Sequence, residues 1–277
     1  FYSLSDPAII AHLNAAAQRH VAVNVHIEGN PARFGRKPDT GERTHATAGS
    51  SAVESLRDKF VDGVQLVIEN DPNILLHGKA VVVDAHAAFI ATANPTQCGF
   101  ESAGQVLVVD ERPRDVAAVA SSIVGGPAVS GDYVVAGPSA ALRSRLHDLM
   151  HATADLRIAT EDLSDNEVVN ALVVRNAQGH HDQVLIEADC RVSRSQYQAL
   201  SQLRSSDVDV RTLPAGYMHE KYVDAGDRIY IGSANLTRNG LDEAREIGLV
   251  APTTAFGSGA DVLRAGFDDM WSHAVLA

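Results

Sequence analysis

The sequence predicts an α/β fold made of two similar halves, each a mixed β-sheet flanked by helices. Three observations lead to this prediction. Strand patterns alternate with helix patterns along most of the chain. Asp6 aligns with Asp165 and Leu13 with Leu172, and the two pairs are separated by the same interval. A His-x-Lys segment occurs once in each half, at His77 and His219, which indicates an internal duplication.

The first half begins with a helix and a strand. Ser5 or Asp6 is placed to cap the helix, because Pro7 then takes its first position. Alternating apolar residues predict a strand over 21–27. The interval from the capping residue to the His-x-Lys segment is longer in the first half than in the second, which locates an insertion within 30–51.

The inserted segment is rich in Gly, Pro, Thr and charged residues and is therefore predicted to be a loop. Long loops are often only tolerated surface features, and a solvated loop is the favoured interpretation. The alternative is a rim over a binding site that contacts phosphate. In that case the candidate substrate-binding residues of the loop are Arg36 and Lys37.

The second half shows a regular order of elements. The residue pattern predicts helices at 139–151, 166–176 and 193–205 and a last amphipathic helix from Gly259, with strands at 155–160, 183–188 and 208–212. Gly-rich residues 125–137 are the expected joint, so we expect halves at 1–130 and 131–277. The counterpart of 138–158 would precede Phe1, so an N-terminal helix of the first half is expected to be missing from this sequence.

Composition narrows the function. Thirty-five acidic residues against 23 Lys and Arg give a net charge of −12, which disfavours bulk electrostatic binding to nucleic acid. No apolar run approaches the length of a membrane span. Two cysteines, Cys98 and Cys190, cannot form a disulfide framework and are expected to be thiols. The compartment stays open, with a secreted or periplasmic location favoured over a cytoplasmic one.

The two His-x-Lys segments carry the chemistry. A two-residue spacing on a strand places histidine and lysine on one face, and each segment is followed by a small hydroxyl residue, Ala and Asn. Imidazole, ammonium, amide and hydroxyl groups together suit an anionic phosphoryl group. The candidate residues are His77, Lys79, Thr92 and Asn94 in the first copy and His219, Lys221, Ser233 and Asn235 in the second.

These paired segments resemble the phospholipase D superfamily over nearly the whole chain. One His-x-Lys is uninformative, whereas two copies, each followed by Thr/Ser-Ala-Asn, are specific. The resemblance implies one site between the two halves, a phosphohistidine intermediate, and no metal or other cofactor. It also implies that the first-half histidine, His77, is the nucleophile and that His219 is the general acid and base.

Orienting residues are expected at matching positions after each histidine. Glu246 follows His219 at the interval where the family places a carboxylate, and Gln105 takes the matching place after His77. We expect Glu246 to orient His219 as an imidazolium and Gln105 to leave His77 neutral, although a carboxylate could equally activate a nucleophile.

The acidic residue that completes the family pattern differs between the copies. Asp84 follows His77 at the family spacing, but Gly226 takes that place after His219. Asp224 is the preferred substitute, because it keeps the strand parity of Asp84 relative to its lysine. Both residues are expected to have structural roles.

The expected substrate is a glycerophospholipid, hydrolysed or transferred to an alcohol, with transient contact at a membrane surface. The alternatives are an endonuclease or nucleic-acid phosphodiesterase of the same superfamily, and an inactive module that binds phosphate or lipid. Because both copies lie on one chain, a monomer is expected.

Overall fold

The fold was determined as a computed structural model that describes residues 1–29, 50–71, 73–187 and 193–277. Arg36, Lys37 and Cys190 lie outside these ranges, so the rim interpretation of the inserted loop stays a prediction. Among the described residues, every helix is too short or too polar to cross a bilayer.

Strands and helices alternate along the described chain. The strands are β1 Val23–Glu28, β2 Val64–Glu69, β3 Ala80–Val83, β4 Ala87–Ala91, β5 Leu107–Asp110, β6 Val134–Ala136, β7 Arg157–Thr160, β8 Gln183–Ile186, β9 Asp209–Thr212, β10 Lys221–Asp224, β11 Arg228–Gly232, β12 Ile247–Pro252 and β13 Val275–Leu276. The α-helices are α1 Pro7–Gln18, α2 Ser50–Arg57, α3 Gln97–Glu101, α4 Pro113–Ile123, α5 Ala140–Leu149, α6 Asn166–Ala177, α7 Arg194–Ser205 and α8 Gly259–His273.

The described strands form three sheets. The largest has eight strands in the order β13-β9-β8-β7-β10-β11-β12-β6, with β7, β8 and β9 parallel and the other pairs antiparallel. In the first half, β1 pairs with β2 in parallel, and β3, β4 and β5 form an antiparallel sheet. The predicted α/β class with mixed sheets is thus confirmed, whereas the boundary at 130 stays a prediction.

Local sequence explains where the helices begin. The Asp6 carboxylate accepts from the backbone N–H of Ile9 at 2.9 Å, and Pro7 opens α1, so this part of the prediction is confirmed. Its counterpart Asp165 accepts from the N–H of Glu167 at 3.0 Å and caps α6. The predicted helices and strands of the second half fall within about two residues of the observed ones, the usual uncertainty of helix ends.

The last helix packs on the large sheet, as its apolar face predicts. Phe267 and Trp271 of α8 are buried against a cluster that includes Tyr222 of β10. Val262 of the same helix lies outside this packed face and is 70% exposed. It lies at the edge of the apolar stripe, facing solvent.

The two halves exchange backbone contacts beside the His-x-Lys segments. Leu76 of the first half bridges Arg245 of the second, and Met218 of the second bridges Ala103 of the first. In the duplication Met218 is the counterpart of Leu76 and Arg245 that of Ala103, so the interface follows a pseudo-two-fold axis. The N–H of His77 donates to the carbonyl of Arg245 at 3.0 Å, so this exchange fixes the backbone of the site.

Candidate active site

Two buried glutamates hold the residues that precede the histidines. Glu28, at the end of β1, accepts from the N–H of Leu76 at 2.9 Å. Glu187, which follows β8, accepts from the N–H of Met218. The glutamates are separated by the same interval as the capping residues Asp6 and Asp165, so the duplication repeats this support as well as the histidines.

His77 is oriented by a carboxylate from the other half. Its Nδ1 lies 2.8 Å from Oε1 of Glu246, whose Oε2 accepts from the Ser233 hydroxyl. The expectation that Glu246 orients His219 is therefore wrong. The reason is the exchange at the interface. Arg245 forms a bridge with Leu76, the residue before His77, and this places the following residue, Glu246, beside His77.

The electrostatics of the His77–Glu246 pair follow from burial. Burial lowers the pKa of His77, and the Glu246 carboxylate opposes this change. Burial would raise the pKa of Glu246, but His77 and Lys79 outweigh it and lower this pKa. Glu246 is thus ionised and fixes the proton of a neutral His77 on Nδ1, leaving Nε2 with its lone pair.

His219 is oriented by a backbone carbonyl. Its Nδ1 donates to the carbonyl oxygen of Thr92 at 3.1 Å. Gln105 accepts from the Thr92 hydroxyl at 3.0 Å and donates to the Ser102 hydroxyl at 3.0 Å. The expectation that Gln105 orients His77 is also wrong, because Gln105 supports the residue that contacts His219.

The two lysines of the segments are buried in the site. Lys79 is 0% exposed and Lys221 is 1% exposed. Each Nζ donates to the carbonyl of its own histidine, at 2.5 Å for Lys79 and 3.1 Å for Lys221. Burial lowers the pKa of Lys79 to about 7, and the Glu246 carboxylate opposes this effect. A bound phosphoryl group adds negative charge beside this lysine, which would raise its pKa and favour the ammonium form.

The asparagines and hydroxyl residues of the two segments make different contacts. The Asn94 side-chain oxygen accepts from the N–H of Ser3 at 3.3 Å, which directs its amide nitrogen away from that contact. The Asn235 amide donates to Glu161 at 3.2 Å. Thr92 and Ser233 are both fully buried and use their hydroxyls to hold Gln105 and Glu246.

The two aspartates expected to be structural counterparts occupy different environments. Asp224 is buried at the end of β10 and accepts from Arg264 at 2.7 and 3.2 Å and from the N–H of Gly226 at 2.8 Å. Asp84 is exposed in the β3–β4 turn with a φ of 53°. The expectation that Asp84 and Asp224 point to equivalent faces of their strands is therefore wrong. Alternation of side chains holds only within a strand, and Asp84 lies beyond the end of β3.

Glu161 is a site residue that the sequence analysis missed. It follows β7, and its Oε2 lies 2.9 Å from Nζ of Lys221 and 3.2 Å from Nε2 of His219. Its Oε1 accepts from the Tyr217 hydroxyl. Burial would raise the pKa of Glu161, but His219 and Lys221 outweigh it and hold this pKa well below its usual value. The available signal was its position, two residues before the repeated Leu-Ser-Asp.

A polar cleft gives access to the site. It encloses about 990 Å³, and its lining includes His77, Asn235, Glu246, Arg143 and Gln198. The cleft is large enough for a substituted phosphodiester, since small-molecule sites commonly enclose ~300–1,000 Å³.

A second cluster of ligand-type side chains lies away from the site. Among the described residues, Asp155, His180 and Asp182 approach one another closely enough to share a cation. Asp182, however, accepts from Arg175 at 2.7 and 2.8 Å and from the N–H of Leu156 at 2.8 Å. Asp182 thus has a structural role, in which it binds Arg175 and the backbone before β7, and the cluster is not taken as a cation site.

The fold and site define a two-lobed protein with one paired His–Lys centre at a pseudo-two-fold interface. The family model described as "Cardiolipin synthase, PLD-like domain" matches residues 1–123 and 146–271. The chain therefore belongs to this phospholipase D-like family, which confirms the resemblance inferred from the sequence. Members of this superfamily carry out phosphodiesterase-type chemistry, and this coarse activity applies to the chain.

Solved structures share the fold at low sequence identity. Phosphatidylserine synthase from Haemophilus influenzae Rd KW20 is 15% identical with a TM-score of 0.67, and the match covers 100% of this chain and 80% of that one. Polyphosphate kinase from Porphyromonas gingivalis is 16% identical with a TM-score of 0.61, covering 95% and 41% of the two chains.

A shorter structure matches about half of the chain. Nuc, a phospholipase D family member from Salmonella typhimurium, is 18% identical with a TM-score of 0.45, covering 52% of this chain and 97% of that one. A comparison with curated protein sequences finds no match.

Proposed function

We propose that this protein is a metal-independent phosphodiesterase that acts through a phosphohistidine on His77, and that its substrate is a glycerophospholipid. The observation that carries the mechanism is the pairing of two differently held imidazoles with two buried lysines at one interface. A covalent intermediate divides a difficult displacement at an anionic phosphorus into two easier ones.

In the first step, His77 is the nucleophile. Glu246 fixes its proton on Nδ1, so the Nε2 lone pair attacks phosphorus, and a P–N bond forms as the P–O bond to the leaving group breaks. His219 is the general acid: its Nδ1 proton stays on the Thr92 carbonyl, and it protonates the departing oxygen from Nε2 in the imidazolium form, which burial disfavours and the nearby Glu161 carboxylate favours. The resemblance to the family gave the same two roles, although Glu246 supports them through the opposite histidine.

In the second step, His219 is the general base. It removes a proton from water or an alcohol, whose oxygen attacks phosphorus and releases His77. Lys79, Lys221, Asn94 and Asn235 stabilise the phosphoryl oxygens throughout, because buried cations and amide donors interact strongly with developing charge.

Two observations support a lipid over a polynucleotide. The net charge of −12 disfavours the counterion release that drives binding to nucleic acid. The matching family description names cardiolipin synthase, which is a lipid enzyme by that name. We expect a monomer that contacts the membrane surface transiently.

The test compares two substrates in the presence of EDTA. Phosphatidylcholine vesicles and single-stranded or plasmid DNA are incubated with the wild-type protein and with His77→Ala. Choline release that persists in EDTA and is lost in the variant supports the proposal. DNA nicking that persists in EDTA and is lost in the variant would instead identify nucleic acid as the substrate. Activity abolished by EDTA would overturn the metal-independent mechanism, and silence on both substrates would favour a binding module.

A further inference from the structure

The second half of the site already holds an anion of its own. Glu161 Oε2 accepts hydrogen bonds from the Lys221 ammonium at 2.9 Å and from the Asn235 amide at 3.2 Å. The same oxygen lies 3.2 Å from Nε2 of His219. Carboxylate and phosphoryl oxygens accept from the same donors. The carboxylate therefore stands where the proposed mechanism needs a phosphoryl oxygen.

Among the described residues of the first half, no carboxylate takes the equivalent place beside Nε2 of its histidine. The counterpart of Glu161, at the interval that relates Asp6 to Asp165, is Tyr2, whose ring lies edge-on to His77 with centroids 5.6 Å apart. In the described part of the chain, His77 Nε2 makes no hydrogen bond. The internal anion is thus a property of this one half and is not required by the duplicated fold.

The charges show what the carboxylate does to a ligand. Glu161 supplies one negative charge beside the Lys221 ammonium, and Glu246 supplies another that acts on Lys79 and His77. A phosphodiester must displace the Glu161 carboxylate to reach Lys221, Asn235 and His219. The displaced group stays near the ligand, because the backbone of Glu161 directly follows β7 and Tyr217 holds its other oxygen. Repulsion by a nearby carboxylate is about twice as large for a dianion as for a monoanion.

We propose that Glu161 is an internal competitor for the oxyanion-binding groups and that it makes the site select monoanionic diesters over dianionic monoesters. This inference rests on the proposed function, since it concerns the same phosphoryl site. A monoester product of diester hydrolysis is a dianion near pH 7.5. Glu161 would then weaken product binding as well as exclude free phosphomonoesters.

The test measures binding of two small probes without turnover. Dimethyl phosphate is a monoanion and methyl phosphate is a dianion at pH 7.5, and both are titrated by ³¹P NMR into wild-type protein and Glu161→Gln. We expect the variant to bind methyl phosphate at least about tenfold more tightly and dimethyl phosphate by a clearly smaller factor. Tyr217→Phe is the matched control, because it removes one hydrogen bond to Glu161 and keeps the charge. The ratio of its affinities for methyl phosphate and dimethyl phosphate should equal that of the wild type.

Two results would overturn the inference. If Glu161→Gln binds neither probe more tightly, the carboxylate does not compete for the site. If both probes gain by the same factor, Glu161 does not select by charge. Circular dichroism checks the fold of each variant, and Glu161→Ala gives the same comparison if the glutamine variant is unfolded. The lipid and DNA assays are read separately, so absent turnover would reject the proposed function while these binding ratios still decide the role of Glu161.

Discussion

His77 Nδ1 and Glu246 Oε1 lie 2.8 Å apart although 169 residues separate them in the chain, and they come from opposite halves of the protein. The contact follows from the reciprocal bridges Leu76–Arg245 and Ala103–Met218. Each half thus supplies the support for the histidine of the other. A half expressed alone would lack that support, which explains why the two copies work as one site.

Removal of the Glu246 charge should slow catalysis more than it weakens binding. Glu246→Gln leaves a similar shape but loses the charged hydrogen bond to His77, and such bonds contribute ~1.5–3 kcal/mol. We expect kcat to fall about 10- to 100-fold with a smaller change in KM. Steady-state kinetics on the substrate identified by the lipid and DNA assays measures both values.

Gln105→Ala is the comparison for this prediction. Gln105 bonds Thr92 and Ser102 and does not contact His77, so its loss should reduce kcat less than Glu246→Gln does. A larger loss for Gln105→Ala would contradict the assignment of Glu246 as the residue that positions the nucleophile.

The nucleophile should be identifiable by trapping. With bis(p-nitrophenyl) phosphate the leaving group needs no protonation, so His219→Ala should complete the first displacement and stall before water attacks. The expected result is a burst of about one nitrophenolate per protein and a phosphoryl adduct on the peptide that contains His77, read by mass spectrometry. The double variant with His77→Ala should show neither. An adduct on the His219 peptide in the single variant His77→Ala would reverse the two roles.

Asp224 should be a stability residue, in contrast to Asp84. Asp224→Asn keeps the shape but removes a buried charge from Arg264, which we expect to lower the free energy of unfolding by ~2–3 kcal/mol. Asp84→Asn is the matched control, because asparagine tolerates a positive φ and the side chain is exposed; its effect should stay within ~0.5 kcal/mol. Urea denaturation measures both, and equal effects would contradict the structural distinction.

The sequence was sufficient for the fold class and for the paired histidines and lysines, because helix caps, strand periodicity and repeats are local signals. Asp6 and Asp165 illustrate this, since each caps a helix as expected. The partner of Glu246 could not be found from spacing, because it depends on an exchange between halves that spacing within one copy does not encode. Glu161 was missed for a related reason: its counterpart is Tyr2, so no repeated residue type marked it.

Glu220 should make stability fall as pH rises. Glu220 lies between His219 and Lys221, directly before β10, and is 3% exposed, and within the described residues its Oε2 has no hydrogen-bond partner. Burial raises the pKa of Glu220 to about 8, with Lys221 opposing the shift. The folded protein therefore keeps this proton between the ordinary pKa of 4.5 and about 8, whereas the unfolded chain has lost it. Because the folded state binds more protons in this window, the free energy of unfolding decreases from pH 4.5 to pH 8, by up to ~5 kcal/mol.

Glu220→Gln removes this penalty, because glutamine resembles the protonated acid and does not ionise. Relative to wild type, we expect its melting temperature to be nearly unchanged at about pH 5 and higher by up to about 10–20 °C at about pH 8.5, where the penalty of up to ~5 kcal/mol acts, since ~1 kcal/mol shifts the midpoint of a protein of this size by ~2–4 °C. Glu167→Gln is the control: that carboxylate is 61% exposed, so its difference from wild type should be similar at both pH values. If the Glu220→Gln difference is also the same at both pH values, Glu220 does not hold a proton in the folded state at neutral pH, and its carboxylate must be solvated or paired in solution.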